Sequence, residues 1–187
     1  MLNTILAIDT FLLMKINQAW TGEWADQFFP AVTDLHKSKY FFYIAVPLIF
    51  LLFYRKYAKK AFVLFFSLLI CLGLNDFLST HTTKNVFERA RPAKSSEVTF
   101  VVQERSPSSG FSFVSNHSSN MFCFALFCSY FIGYTSIFYT IACLVGYSRI
   151  YNGAHFPSDV LAGALFGTVV ALIFVSVLNR TYLRGQK

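Results

Sequence analysis

Long apolar runs separated by short polar segments dominate this chain from residue 40 onwards. A helix that crosses the hydrocarbon core of a bilayer needs about 20 mostly apolar residues. Five runs approach that length, at residues 40–54, 61–78, 118–134, 136–147 and 160–178. They predict an all-α fold, a multi-pass transmembrane helical bundle of about five spans. Pro47 is expected to kink the first helix, and the short fourth helix is expected to continue into the polar segment after it.

Two glycines four residues apart lie in the last run, at Gly163 and Gly167. Small residues at this spacing allow two helices to approach closely in a membrane. We expect them to serve packing within the protein rather than a dimer interface.

The first 38 residues have a weaker pattern. Residues 4–18 carry apolar side chains at helical spacing, but this stretch is broken by polar residues and is short for a span. It predicts an amphipathic helix that lies in the membrane interface. A second short helix is expected over residues 23–36, with Trp20 and Trp24 as interfacial anchors. Whether residues 4–18 also insert is left open.

The composition argues against an ordinary soluble domain. Only 13% of the residues are charged, whereas soluble domains carry about 25%, and 23 residues are Phe. We predict one membrane-embedded domain over residues 1–187, with interfacial helices in 1–38 and a transmembrane core in 40–179. The net charge of +7 lies largely beside apolar runs, so it predicts the lipid bilayer as partner and no nucleic acid.

Basic residues mark the expected orientation. They follow the first and the last apolar run, as Arg55, Lys56, Lys59 and Lys60, and as Arg180, Arg184 and Lys187. The positive-inside rule places both groups in the cytoplasm. With five spans, residues 79–117 and 148–158 then share the opposite face. We therefore expect an integral protein of a bacterial inner (cytoplasmic) membrane, with its site facing the periplasm or exterior.

The first candidate motif contains two cations, Lys84 and Arg91, and then Pro92. Positions seven apart on a helix lie on one face, and Pro92 would end such a helix. The spacing predicts two cations that hold an anion between them. The alternative is a basic juxtamembrane stretch that pairs with lipid headgroups.

The second motif, Ser115-Asn116-His117, lies just before the third span. The N-terminus of a helix favours anions, and the motif adds a hydroxyl group and a proton donor. The alternative is that Ser115 only caps the helix and His117 has no role.

The third motif runs from Ser148 to Asp159 and includes Arg149 and His155. Arg149 offers a planar fork of donors to a phosphate. If Pro157 opens the last span, Asp159 lies in its first turn and can reach back to the imidazole of His155. A carboxylate on one ring nitrogen leaves the other free to attack. The alternative is a solvated polar loop.

Together these motifs resemble the phosphatidic acid phosphatase type 2 superfamily, whose pattern is K-x6-RP, then PSGH, then SR-x5-H-x3-D. The first and third motifs are intact here. In the second, Val114 replaces the Pro and Asn116 replaces the Gly, while Ser115 and His117 remain. The Asn116 replacement puts in doubt the close backbone approach that Gly allows.

The resemblance implies roles for individual residues. His155 would attack phosphorus and form a phospho-histidine, with Asp159 orienting it. His117 would protonate the leaving oxygen and then help to activate water. The phosphate oxygens would be bound by Lys84, Arg91, Ser115, Asn116 and Arg149. Because His155 must be neutral and His117 protonated, a bell-shaped dependence of rate on pH is expected.

The expected function is metal-independent hydrolysis of a phosphate from a membrane lipid, without a cofactor. Candidate substrates are undecaprenyl diphosphate, phosphatidylglycerol phosphate, phosphatidic acid and lipid A phosphates. Transfer of the phosphate to a lipid acceptor is a second possibility, and a non-catalytic membrane scaffold is a third. The other two histidines are assigned lesser roles, His36 as an interfacial residue and His81 as a possible substrate contact.

Overall fold

The computed structural model describes the backbone of residues 2–183 and the side chains of residues 4–181. Within that range the regular elements are helices, which confirms the all-α expectation. The α-helices are α1 (Leu2–Met14), α2 (Glu23–Asp34), α3 (Val46–Tyr57), α4 (Ala61–Ser79), α5 (Asn85–Phe87), α6 (Asn116–Phe131), α7 (Thr135–Tyr151) and α8 (Pro157–Leu178). Arg184 and Lys187 of the predicted basic C-terminus lie outside the described residues.

Helices α3, α4, α6, α7 and α8 correspond to the five apolar runs. As expected, α7 continues to Tyr151, well into the third motif. Pro47 lies in the first turn of α3, directly after a π-helical turn over Phe41–Ala45. Proline has no backbone N–H, and its ring crowds the preceding turn. The irregularity expected at Pro47 therefore takes the form of a π-helical turn just before it.

Helix α6 lies at the centre of the bundle and packs against α4, α7 and α8. Its contact with α8 is very close. A Cβ added at Gly167 would lie 1.9 Å from the carbonyl oxygen of Ser119, and one added at Gly163 would lie 2.6 Å from that of Ser115. The predicted use of the two glycines for packing within the protein is therefore confirmed.

Two stretches, Phe41–Lys94 and Pro157–Thr181, are long and apolar enough to cross a membrane. The first contains α3 and α4, which pack against each other. Only 33% and 28% of their most apolar windows are buried within the protein, whereas the core helix of a soluble protein would be mostly buried. Large apolar side chains instead face outward along both stretches. This exposed surface needs a lipid environment, and the protein is an integral membrane protein.

The basic loop after α3 lies at one end of the bundle. The Tyr57 hydroxyl donates to the Phe131 carbonyl at 2.9 Å, and Lys56 Nζ donates to the Ile132 carbonyl at 3.5 Å. This loop and the α6–α7 turn are therefore neighbours. The three motifs lie at the other ends of the same helices.

The N-terminal helices α1 and α2 pack at the motif end, where Leu13 and Ile16 join a small core with Tyr151 and Phe156. Helix α1 turns the carboxylate of Asp9 inward, where the residue is 3% exposed, and turns apolar side chains outward. Its one acidic side chain therefore faces the protein, whereas Thr4 is exposed. The interfacial placement of residues 1–38 stays a prediction.

Candidate active site

The three motifs meet around one cavity of about 380 Å³. Six of the eight predicted site residues line it, namely Lys84, Arg91, Asn116, His117, Arg149 and His155. The other two, Ser115 and Asp159, are fully buried behind this lining. The motif residues come from helix ends and from the long segment between α5 and α6, which is why they converge at one end of the bundle.

Lys84 and Arg91 do not share a helix face, and that prediction is wrong. Helix α5 ends at Phe87, because Glu88 adopts the left-handed conformation with φ of 44°. Arg91 then has extended backbone, as expected for a residue before proline. The two cations still meet, since both reach the cavity from different directions.

Both cations are held by the loop that precedes the second motif. Lys84 Nζ donates to the Phe111 carbonyl at 2.8 Å. Arg91 donates from Nη2 to the Ser109 carbonyl at 2.8 Å and from Nε to the Gly110 carbonyl at 3.0 Å. Each cation is thus fixed beside the cavity by backbone acceptors. Lys84 keeps N–H groups for an anion, whereas Arg91 keeps one on Nη2, because its Nη1 also donates to the Ala154 carbonyl and to His155 Nε2.

The His155 ring is 2% exposed and has different neighbours at its two nitrogens. Nδ1 lies 3.4 Å from Ser112 Oγ and 3.7 Å from Asp159 Oδ2, and the Ser112 hydroxyl donates to that carboxylate oxygen at 2.5 Å. Nε2 lies 3.2 Å from Arg91 Nη1, which donates to it. This arrangement favours the proton on Nδ1 and leaves the Nε2 lone pair as the acceptor of the Arg91 hydrogen bond, which an attacking Nε2 must give up.

Burial lowers the pKa of His155 to about 4. The nearby guanidinium groups of Arg91 and Arg149 act in the same direction, whereas the Asp159 carboxylate opposes them. The imidazole is therefore neutral at neutral pH, which is the form that can attack phosphorus.

Asp159 lies in the first turn of α8, as the position of Pro157 predicts. Its Oδ2 accepts the backbone N–H of Phe156 at 3.0 Å as well as the Ser112 hydroxyl. Its Oδ1 accepts Arg89 Nη1 at 2.6 Å. Arg89 and Ser112 were missed in the sequence. Arg89 carries a weak signal because it lies two residues before Arg91, but Ser112 carries none.

Arg149 is 3% exposed and is tied down at both terminal nitrogens. Nη1 donates to Thr33 Oγ1 at 2.6 Å, and Nη2 donates to Ser108 Oγ at 2.7 Å. Its buried Nε has no hydrogen-bond partner among the described residues. Thr33 belongs to α2, so the N-terminal helices form part of the wall of the site, which the sequence pattern did not indicate.

His117 lies in the first turn of α6 and lines the cavity. The ring of His36 meets it edge-on, with ring centroids 5.3 Å apart. His36 is itself exposed, so this contact does not contradict the interfacial interpretation, which stays a prediction. His81 faces outward from the end of α4 and stacks on Phe77, so the possible substrate contact is not supported among the described residues.

The Asn116 side chain, at the position where the family pattern has Gly, turns towards α4. Its Nδ2 donates to Thr80 Oγ1 at 3.0 Å and to Asp76 Oδ1 at 3.1 Å. Ser115 is the N-cap of α6, and its buried hydroxyl has no partner in the described part of the chain. These hydrogen bonds of Asn116 connect the start of α6 to the end of α4.

A model of the PAP2 superfamily matches residues 60–182 of this chain. The chain belongs to the PAP2 superfamily. The resemblance carried by the three motifs is confirmed at the level of the family.

Relatives of known name are lipid A phosphatases. The chain is similar to the lipid A 4'-phosphatase of Porphyromonas gingivalis, with 32% identity over 132 residues that cover 68% of this chain and 56% of that protein. It is also similar to the lipid A 4'-phosphatase of Bacteroides thetaiotaomicron, with 26% identity over all of this chain and 84% of that protein. The match thus spans little more than half the length of the Porphyromonas relative.

Two solved structures share the fold. The transmembrane PAP2-type phosphatidylglycerolphosphate phosphatase from Bacillus subtilis aligns with a TM-score of 0.72 and 23% identity, over 96% of this chain and 88% of that one. Aquifex aeolicus LpxE aligns with a TM-score of 0.65 and 29% identity, over 88% and 93%. These likenesses confirm a helical membrane-phosphatase fold.

Proposed function

We propose that this protein hydrolyses a phosphate ester or diphosphate of a membrane lipid, with His155 as the nucleophile. The observation that carries the proposal is the pair of environments around its ring. Nδ1 faces Ser112 and Asp159, while Nε2 carries the lone pair and faces the Arg91 guanidinium, one of the cations that line the cavity. A neutral imidazole with one nitrogen oriented by a carboxylate is suited to nucleophilic attack.

In the first step, His155 Nε2 forms a bond to phosphorus as the bond from phosphorus to the leaving oxygen breaks. Burial, together with the nearby Arg149 guanidinium, lowers the pKa of His117 to about 3, so His117 must take up a proton when the anionic substrate binds, and it then donates that proton to the leaving oxygen. In the second step, water attacks the phospho-histidine and passes a proton to His117. Inorganic phosphate leaves, and His155 is restored.

Phosphoryl transfer needs charge stabilisation and positioning above all. Lys84, Arg91 and Arg149 supply three positive charges around the cavity. Ser115 and the backbone near Asn116 lie at the N-terminus of α6, which favours an anion. We propose that these groups hold the phosphate oxygens without a metal ion, and that activity persists in EDTA.

For the substrate, we propose a lipid A phosphate first. The proposal is supported by the names of the relatives from Porphyromonas gingivalis and Bacteroides thetaiotaomicron, which are lipid A 4'-phosphatases. Undecaprenyl diphosphate, phosphatidylglycerol phosphate and phosphatidic acid present the same phosphate chemistry to the cavity. They belong in the same assay as comparators.

For the topology, we propose five spans formed by α3, α4, α6, α7 and α8, in the inner membrane. The basic loop at residues 55–60 would face the cytoplasm, and the cavity would face the periplasm. The support is the position of that loop beside the α6–α7 turn, at the end opposite the motifs. Labelling by a membrane-impermeant thiol reagent in intact cells tests this. A cysteine at Glu104 should react from outside and one at Lys59 should not, and the reverse result would contradict the orientation.

The test of function is phosphate release by purified protein in detergent, with EDTA and with each of the four lipids. Release that is abolished in His155→Ala, with lipid A as the best substrate, is the expected result. A phosphorylated lipid acceptor with little free phosphate would indicate phosphotransfer instead. No reaction with any lipid by folded wild-type protein would refute the proposal.

A further inference from the structure

A buried row of alternating charges connects the N-terminal helix α1 to His155. It begins at Asp9 on α1, continues through Arg89, and ends at Asp159 beside the imidazole. The Asp9 and Asp159 side chains are 4% and 0% exposed, and the Arg89 side chain is 20% exposed. Charges this far from water are not the weak ion pairs of a protein surface.

Arg89 joins the two carboxylates with separate nitrogens. Nη1 donates to Asp159 Oδ1 at 2.6 Å, and Nη2 donates to Asp9 Oδ2 at 2.8 Å. Its guanidinium carbon lies 4.1 Å from the centroid of the Phe156 ring. A planar fork held in this way fixes the direction of both carboxylates.

Ser158 closes the row. Its backbone N–H donates to Asp9 Oδ1 at 2.8 Å, and Arg89 Nη1 donates to its hydroxyl at 2.8 Å. Helix α1 is therefore attached to the first turn of α8, the turn that carries Asp159. Arg89 and Asp9 are not among the residues that line the cavity.

We propose that Arg89 and Asp9 are positioning residues for the nucleophile and act through Asp159. This proposal rests on the proposed role of His155. Arg89 holds Oδ1 of Asp159, so that Oδ2 stays directed at Ser112 and the imidazole. Without Arg89, the buried carboxylate would lose a charged partner and the constraint on its rotation.

Asp9 has a separate electrostatic effect. When His155 takes up the phosphoryl group while Nδ1 keeps its proton, the ring becomes positively charged. Arg89 alone would cancel the charge of Asp159, but with Asp9 the row carries one net negative charge. That charge favours the cationic ring.

The test compares four variants, Arg89→Gln, Arg89→Lys, Asp9→Asn and the double variant, in the lipid phosphatase assay. The kcat of Arg89→Gln should fall by about 10- to 100-fold, by analogy with the loss of a group that orients a metal-binding side chain. Asp9→Asn should lose less, and Arg89→Lys should recover part of the loss because its charge remains. The double variant should lose less than the product of the two single losses, since both residues position the same carboxylate.

Inhibition by inorganic phosphate separates positioning from general damage. Neither residue lines the cavity, so the inhibition constant of phosphate should stay within about twofold of wild type. A change of this size corresponds to less binding free energy than one weak contact contributes. Asp26→Asn is the matched control. Asp26 lies on α2, accepts from Arg105 Nε and from the Tyr151 hydroxyl, each at 2.6 Å, and has no contact with Asp159 or with the cavity among the described residues, so its loss should leave kcat unchanged. Thermal unfolding in detergent identifies variants that fail to fold.

A wild-type kcat in Arg89→Gln would overturn the proposal, as would a loss that appears only in KM. Equal losses in Asp26→Asn and Asp9→Asn would overturn it too, since any break between the N-terminal helices and the core would then suffice. If wild-type protein is active and His155→Ala is not, these failures leave the proposed function intact. If wild-type protein releases no phosphate, the proposed function itself fails.

Discussion

Lowering the pH from 7 to 5 should destabilise the folded protein through His155. Its pKa is about 4 in the folded protein, compared with the ordinary value of 6.5 expected in the unfolded chain. Between these values the unfolded chain binds the proton and the folded protein does not. Stability therefore falls as the pH drops below 6.5, by about 1.4 kcal/mol for each pH unit. By pH 5 the loss should reach about 2 kcal/mol.

The free energy of unfolding should be measured in mixed micelles at pH 7 and pH 5, for wild type and for His155→Asn. Wild type should lose about 2 kcal/mol more than the variant, because the variant has no imidazole to protonate at this position. His81→Asn is the control, since it removes an exposed histidine and should behave like wild type. If wild type and His155→Asn lose the same stability, burial does not hold the imidazole neutral and the reasoning is refuted.

Three further substitutions test the packing and the site. Gly167→Leu should destabilise the fold by at least about 1–3 kcal/mol through overpacking, measured by unfolding in micelles, whereas Gly73→Leu should be tolerated because a Cβ there meets nothing within 4 Å. Ser112→Ala should lower kcat by about tenfold, since it removes a hydrogen bond to a charged group, and unchanged kcat would contradict its placement. Arg149→Lys should raise KM by about tenfold because an ammonium cannot replace a fork of donors, and an unchanged KM would argue against phosphate binding there.

Much of the fold was predictable because hydropathy is a local property. Each apolar run becomes a helix, and Gly163 and Gly167 indicate a close contact before its partner is known. Helix boundaries that depend on the backbone conformation of a single residue were harder to predict. The left-handed Glu88 ends α5, although nothing in its side chain demands that conformation.

The site residues also divide into those that the sequence predicts and those that it does not. Residues with reactive or charged side chains at motif spacing, such as His155 and Arg149, could be selected directly. Ser112 and Thr33 could not, because a lone hydroxyl has no pattern and becomes informative only when the fold brings it to a charged partner. The position of His36 beside His117 depends on contacts between elements about 80 residues apart, which no local pattern encodes.

The close contact between α6 and α8 has a consequence for how the protein can move during turnover. His117 lies at the start of α6, and Asp159 lies at the start of α8, next to His155. Because Gly163 rests against the Ser115 backbone at that level, backbone rather than flexible side chains sets the spacing between proton donor and nucleophile. The two helices must then travel together as one rigid piece. Entry of a lipid headgroup and escape of phosphate must then proceed without a change in the spacing of these two helices.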